Sequence, residues 1–201
     1  LHTNLSGDAV FRLGPDEAYR FARGEEVTTT SGQQAKMNRP LDFLVIADHG
    51  NNMGAQLARE WGKLDPEYRK TKTWKLWAAA RDELLKTPGV DTNRLLKGSL
   101  WPGDLKDVAI RDPAFRQTIW EGVTAGADRE NTPGQFTAFI GYEWTSMVRG
   151  NNLHRVVVYR DDADKAGQMP PFSSLDSLDP EDLWQFLEEY EAETGGDIMA
   201  I

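Results

Sequence analysis

A run of apolar residues that ends in an Asp-His pair constrains the fold of this chain more than any other feature. Six of the seven residues at 41–47 are apolar, and Asp48, His49 and Gly50 follow directly. A continuous run of this kind, opened by Pro40, predicts a strand buried on both faces, as in the parallel sheets of α/β proteins. Polar residues at the carboxyl end of such strands commonly face an active site. Asp48 and His49 are therefore candidate metal ligands or acid–base groups. The structural alternative is a capped strand end with a partly buried histidine.

Other segments of the chain alternate between strand and helix patterns. Strands are predicted at 136–144, where Glu143 stands near the carboxyl end, and then at 153–159 and 198–201. Helices are predicted in the remaining periodic segments, at 15–22, 53–64, 73–86, 113–129 and about 180–194. This alternation indicates an α/β fold with mainly parallel strands. We interpret the Trp-rich helical stretch at about 65–131 as an insertion between two strands that covers the mouth of the site, or alternatively as an ordinary packing layer.

The composition of the chain argues against several classes of function. Its 201 residues carry a formal net charge of −9, which disfavours a nucleic acid or an anionic membrane as the partner. The chain has no cysteine, so thiolate metal sites and disulfides are excluded. No apolar run approaches the roughly 20 residues that a membrane helix needs. The sequence opens and closes abruptly at Leu1 and Ile201, so we expect it to be a fragment of a longer polypeptide.

All three histidines lie at the ends of predicted strands, close to acidic residues that share this placement. The six residues are His2, His49, His154, Asp8, Asp48 and Glu143. Neutral imidazole together with carboxylate suits zinc, manganese or iron, and a carboxylate can bridge two ions. Two ions a few ångströms apart can hold a hydroxide and clamp both oxygens of a phosphoryl displacement. A single histidine is more often structural, but the joint pattern favours a metal site.

These motifs resemble those of the PHP (polymerase and histidinol phosphatase) superfamily. Residues 1–8, LHTNLSGD, are similar to its first motif, Ala47-Asp48-His49 to its second, and Glu143 with His154 to its third. The surrounding sequence resembles one bacterial branch of the superfamily, domain of unknown function 3604, at 15–24, 39–43, 133–144 and 179–184. The resemblance runs nearly from end to end of the chain.

The resemblance implies a distorted (β/α)7 barrel, of which residues 1–201 would form an incomplete N-terminal part with a helical, Trp-rich insertion. It implies two or three divalent metal ions (Zn, Mn or Fe) at the barrel mouth. The implied metal ligands are His2, Asp8, His49, Glu143 and His154. Glu143 would bridge two ions, and Asp48 would orient His49 from behind. Glu143, His49 and Asp48 would form the catalytic group around a metal-bound hydroxide.

On this basis we expect a metal-dependent hydrolase with a phosphorylated small molecule as its default substrate. Two alternatives stay open: hydrolysis of an amide or lactone by the same cluster, and a non-catalytic PHP-like binding or structural module. The first His of the superfamily's His-x-His pair and its later motifs are missing from this sequence. We therefore expect this piece alone to be inactive, and the rest of the polypeptide or a companion proteolytic fragment to complete the barrel. The resembling branch has exported members, which favours a periplasmic or secreted location over the cytoplasm.

Overall fold

The computed structural model describes residues 2–6, 13–54, 70, 75, 78–79, 82–83, 86–87 and 112–201. The elements with defined bounds are α1 (Pro15–Ala22), β1 (Val27–Thr28), β2 (Gln34–Ala35), β3 (Phe43–Val45), α2 (Pro113–Glu130), β4 (Thr137–Val148), β5 (Asn151–Tyr159), α3 (Ala163–Ala166), α4 (Pro180–Thr194) and β6 (Ile198–Ala200). Helices and sheets together make this an α/β protein, as the sequence predicts. Most of the helices predicted at 53–64 and 73–86, and most of the proposed insertion, lie outside the described residues.

The helix ends follow local sequence signals. Helix α1 begins at a proline, carries acidic residues in its first turn, and is followed by Gly24 at φ 82°. In α4 the Asp179 side chain accepts a hydrogen bond from the Glu181 N–H, and Gly195 ends the helix at φ 63°. Strands β1 and β2 form a small antiparallel hairpin between α1 and β3. Among the helices that the structure describes, none is long and apolar enough to cross a membrane.

A four-stranded sheet in the order β3-β4-β5-β6 organises the described part of the chain. Strand β3 runs parallel to β4, whereas the β4–β5 and β5–β6 pairs are antiparallel. The prediction of mainly parallel strands is therefore wrong for this sheet. For the β4–β5 pair the cause is the two-residue loop Arg149-Gly150, whose φ angles of 52° and 82° form a tight hairpin turn that matches the strand twist. Asn151 and Asn152 begin β5 directly after this loop.

One face of this sheet carries the hydrophobic core. Because side chains alternate along a strand, β4 directs Ile140, Tyr142 and Trp144 to the same face, where each is at most 1% exposed. Helices α2 and α4 contribute to the same core cluster. Trp120 of α2 is fully buried there, and its indole N–H donates to the carbonyl of Ala166 at 2.7 Å. This layer fixes β4 in place. The opposite face of the sheet carries the polar groups described below.

Strand β3 is shorter and more exposed than the sequence predicts. It spans three residues, and Phe43 exposes 62% of its surface. The register places Phe43 on the face opposite the core, together with Met199 of β6, which is 55% exposed. No helix among the described residues covers that face, which is why the expected burial on both faces is wrong. Burial becomes complete beyond β3, where Ile46 and Asp48 are 4% and 2% exposed.

Candidate metal centre

Three side chains from distant parts of the chain converge beyond the carboxyl end of β3. His2, His49 and Glu143 each offer a ligand atom, and these atoms all lie within 4.8 Å of one another. The Oε2 atom of Glu143 lies 2.6 Å from Nε2 of His2 and 3.8 Å from Nδ1 of His49. The rings of His2 and His49 meet edge to face, with centroids 4.6 Å apart. Two imidazoles and a carboxylate at this spacing form a donor set that suits a divalent transition-metal ion.

The parallel pairing with β4 brings His49 beside Glu143. The chain continues past β3 in the same register, so that His49 and Glu143 form a parallel bridge. The Gly50 N–H donates to the carbonyl of Glu143 at 2.8 Å, and the Glu143 N–H donates to the carbonyl of Asp48 at 2.9 Å. Two backbone hydrogen bonds thus fix the backbone that carries both candidate ligands.

The β4–β5 hairpin adds two further groups to the cluster. Thr145 pairs with His154 across the hairpin and stands two residues from Glu143, so the three side chains share a face. Thr145 Oγ1 lies 3.0 Å from Nδ1 of His49, 3.0 Å from Nδ1 of His154 and 3.2 Å from Oε1 of Glu143. His154 Nδ1 also contacts Oε1 of Glu143 directly. His154 therefore joins the carboxylate on the side away from His2.

Asp48 anchors the segment that carries His2. Its carboxylate accepts hydrogen bonds from the Thr3 N–H at 2.5 Å, the Thr3 hydroxyl at 2.7 Å and the Ser6 hydroxyl at 2.8 Å. Residues 2–6 form a turn here, not the end of a strand. The sequence predicts that Asp48 orients His49. In the structure its carboxylate accepts hydrogen bonds from Thr3 and Ser6, in the segment that carries His2.

Burial and charge act differently on the two carboxyl groups of the site. Burial on its own would raise the pKa of Glu143. The hydrogen bond from His2 and the three nearby imidazoles outweigh that effect and lower the pKa from 4.5 to about 2. Burial raises the pKa of Asp48, and its hydrogen bonds from the anchored segment offset only part of the rise. Glu143 is therefore a carboxylate at neutral pH, as a metal ligand must be.

The cluster opens to solvent on one side. The exposed fraction of the side chain rises from 9% in Glu143 and 14% in His49 to 34% in His2 and 45% in His154. A buried carboxylate with imidazoles around it is favourable only when its charge is compensated. A cation beside Glu143 would supply that compensation, and the exposed imidazoles make the cluster accessible from solvent.

The structure brings together four of the five predicted metal ligands. His2, His49 and Glu143 form the tight cluster, and His154 contacts Glu143. Asp8 lies outside the described residues. Sequence reasoning missed Thr145, because the predicted strand ended one residue before it. The alternation of side chains along β4 was the signal that could have found it, since Thr145 stands two residues after Glu143.

The fold and the cluster together define an α/β protein with a candidate His/Glu metal centre. The family described as Protein of unknown function (DUF3604) matches residues 1–201. The chain belongs to the DUF3604 family. Comparison with curated proteins and with solved structures gives no match.

Proposed function

We propose that this protein is a metal-dependent hydrolase of the PHP type that acts on a phosphate ester. The observation that carries the proposal is the convergence of His2, His49 and Glu143, which come from three separate segments of the chain. Convergence of metal-competent side chains in a partly open site is typical of a reactive centre. The motif resemblance to the PHP superfamily supplies the reaction class.

In this proposal Glu143 bridges two ions, and the geometry of its two oxygens supports that role. Oε2 faces His2 and His49, whereas Oε1 faces Thr145 and His154. Each oxygen therefore has its own imidazole partners, on opposite sides of the carboxylate. This is the arrangement that allows one carboxylate to serve two neighbouring ions, as two-metal hydrolases require.

Divalent ions held at this place would supply Lewis acidity towards a phosphoryl oxygen and activate water at neutral pH. The residues of the chain prepare the site for that chemistry. Glu143 stays ionised, and Asp48 fixes the segment that carries His2. The exposed rings of His2 and His154 border the open side, where an anionic substrate can approach.

We further propose that the four-stranded sheet belongs to a larger PHP-type barrel, completed by further polypeptide. The face that carries Glu143 also carries Phe43 and Met199, which are 62% and 55% exposed. Closure of a barrel over this face would bury such side chains. The preference for a periplasmic or secreted location rests on the resemblance alone.

The test is metal analysis and hydrolysis by the purified complete polypeptide and by two matched variants of it. Plasma mass spectrometry should find bound zinc, manganese or iron in the wild type. Glu143→Gln should lose that metal together with the hydrolysis of para-nitrophenyl phosphate. Glu188→Gln makes the same change at an exposed position of α4 and should leave both unchanged. A metal-free wild type, or full activity in Glu143→Gln, would refute the proposed site.

The same metal-loaded protein separates the alternatives. Turnover of lactones or amides but not of phosphate esters would keep the metal centre and change the substrate class. A protein that binds metal but hydrolyses neither phosphate esters nor lactones nor amides would be better explained as a non-catalytic module.

A further inference from the structure

The hydroxyl of Thr145 stands between three polar groups of the metal centre. The residue is 8% exposed, and its Oγ1 lies within 3.2 Å of two imidazole nitrogens and one carboxylate oxygen. A hydroxyl has one hydrogen to donate and two lone pairs that accept. Three partners therefore use its complete hydrogen-bonding capacity.

One arrangement of hydrogens satisfies all three contacts of Thr145. The carboxylate of Glu143 can only accept, so the hydroxyl donates to it. The oxygen then accepts from His49 and His154, which requires a hydrogen on Nδ1 of both rings. In a neutral imidazole the other nitrogen, Nε2, then carries the lone pair that binds a metal ion.

The two histidines depend on Thr145 to different degrees. Nδ1 of His154 also contacts Oε1 of Glu143, so a second acceptor holds its hydrogen. Nδ1 of His49 lies 3.8 Å from the nearer oxygen of Glu143, which is beyond hydrogen-bonding distance. The hydroxyl of Thr145, at 3.0 Å, accepts the hydrogen from Nδ1 of His49.

We infer that Thr145 is a positioning residue that holds His49 with its hydrogen on Nδ1 and thereby presents Nε2 to the metal ion. A partner behind a metal-binding histidine fixes both the tautomer and the orientation of the ring. The inference deepens the proposed function, and its metal-binding half rests on that function. The tautomer itself is a property of the metal-free protein and can be measured separately.

The first experiment reads the tautomers directly, by NMR of protein labelled with ¹⁵N-histidine and freed of metal. The chain has three histidines, so three ring systems appear, and single His→Gln variants assign them. The spectra are recorded at alkaline pH, and a tautomer is assigned only to rings whose ¹⁵N signals are those of a neutral imidazole. We expect the hydrogen on Nδ1 in His49 and His154, and on Nε2 in His2, which faces Glu143 through that atom.

Two substitutions at position 145 then isolate the hydroxyl. Thr145→Val keeps the branched shape and should lower the fraction of His49 that carries its hydrogen on Nδ1, while His154 keeps its hydrogen on Nδ1. Thr145→Ser retains the hydroxyl and should match the wild type. A wild-type His49 with its hydrogen on Nε2, or a His49 unchanged by Thr145→Val, would overturn the inference.

The second experiment measures zinc affinity by competition with a chromophoric chelator. Loss of such a partner typically weakens binding by about 10–100-fold, so we expect a loss in that range for Thr145→Val and near wild-type affinity for Thr145→Ser. Equal affinity in Thr145→Val, or loss of the Nδ1 hydrogen of His49 in the zinc-loaded wild type, would refute the metal-positioning role. A wild type with the expected tautomers that binds no zinc would refute the proposed function and support the tautomer assignment.

Discussion

The hydrogen bond between the Thr3 hydroxyl and Asp48 tests how the His2 segment is held. Thr3 and Asp48 are 3% and 2% exposed, and the hydroxyl lies 2.7 Å from Oδ2 of the carboxylate. Thr3→Val keeps the shape of the side chain and removes this donor. The N–H of Thr3 and the hydroxyl of Ser6 both donate to Oδ1, so neither replaces the lost bond to Oδ2.

The expected cost follows from the burial of the acceptor. A buried acceptor left without its hydrogen bond costs about 1–3 kcal/mol, so we expect Thr3→Val to lower the free energy of unfolding by about 2 kcal/mol. In a protein of 150–250 residues, that loss lowers the midpoint of thermal unfolding by about 4–8 °C. The released segment should also bind metal more weakly, because it carries His2.

Urea unfolding at pH 7.5, followed by tryptophan fluorescence, measures the change. Trp120 and Trp144 are fully buried and report on the core next to the site. Thr3→Ser keeps the hydroxyl and serves as the matched control, with an expected loss well below that of Thr3→Val. An unfolding midpoint of Thr3→Val equal to that of the wild type would show that the Asp48 anchor contributes nothing to stability.

Three further predictions concern stability away from the site. Burial would raise the pKa of Asp176, but hydrogen bonds from Arg116 and the Ser173 N–H hold it below its usual value. The resulting stability is therefore present above the unfolded pKa of about 3.9 and is lost as the pH falls through the lower folded value. The difference in urea midpoint between the wild type and Asp176→Asn should stay constant from pH 7 to about 4 and become smaller at lower pH. A difference that stays constant down to pH 2 would contradict the proposed contribution of Asp176 to stability. Gly195→Ala should destabilise by about 1–2 kcal/mol, because Gly195 adopts φ 63° at the end of α4. Gly122 lies at an exposed position inside α2, where an added Cβ would meet open space, so Gly122→Ala should stabilise the protein by about 0.5–1 kcal/mol. Thermal unfolding measures both glycine variants, and a more stable Gly195→Ala or a less stable Gly122→Ala would contradict the respective prediction.

The parts of the fold that the sequence predicts correctly are those with local signals. The bounds of α1 follow from Pro15 and Gly24, and those of α4 from Asp179 and Gly195, because capping depends on residues within one turn. The direction of β5 depends instead on the loop before it. Arg149 has a positive φ, which is uncommon for a residue with a Cβ, so the sequence carries no Asn-Gly signal for this hairpin.

In the candidate site, too, some residues follow from local sequence signals and others depend on tertiary packing. The ends of apolar runs pointed to His49 and Glu143, and the structure brings these two residues together because the strands that lead to them are in register. The roles of Thr145 and Asp48 depend on which partners lie across the sheet and in the 2–6 segment. Those partners are set by register and tertiary packing, which no spacing within a single segment of the sequence reveals.

The β4–β5 hairpin also restricts how its length can change over evolution. Thr145 and His154 face each other because the strands pair residue by residue out from the Arg149-Gly150 loop. One residue inserted between that loop and His154 would turn the imidazole to the face of Trp144. Two inserted residues would return the imidazole to the original face, at a position two residues further from the loop. The candidate metal centre would therefore tolerate an even number of inserted residues in this hairpin better than an odd number, because only an even number keeps the imidazole on the face of Glu143.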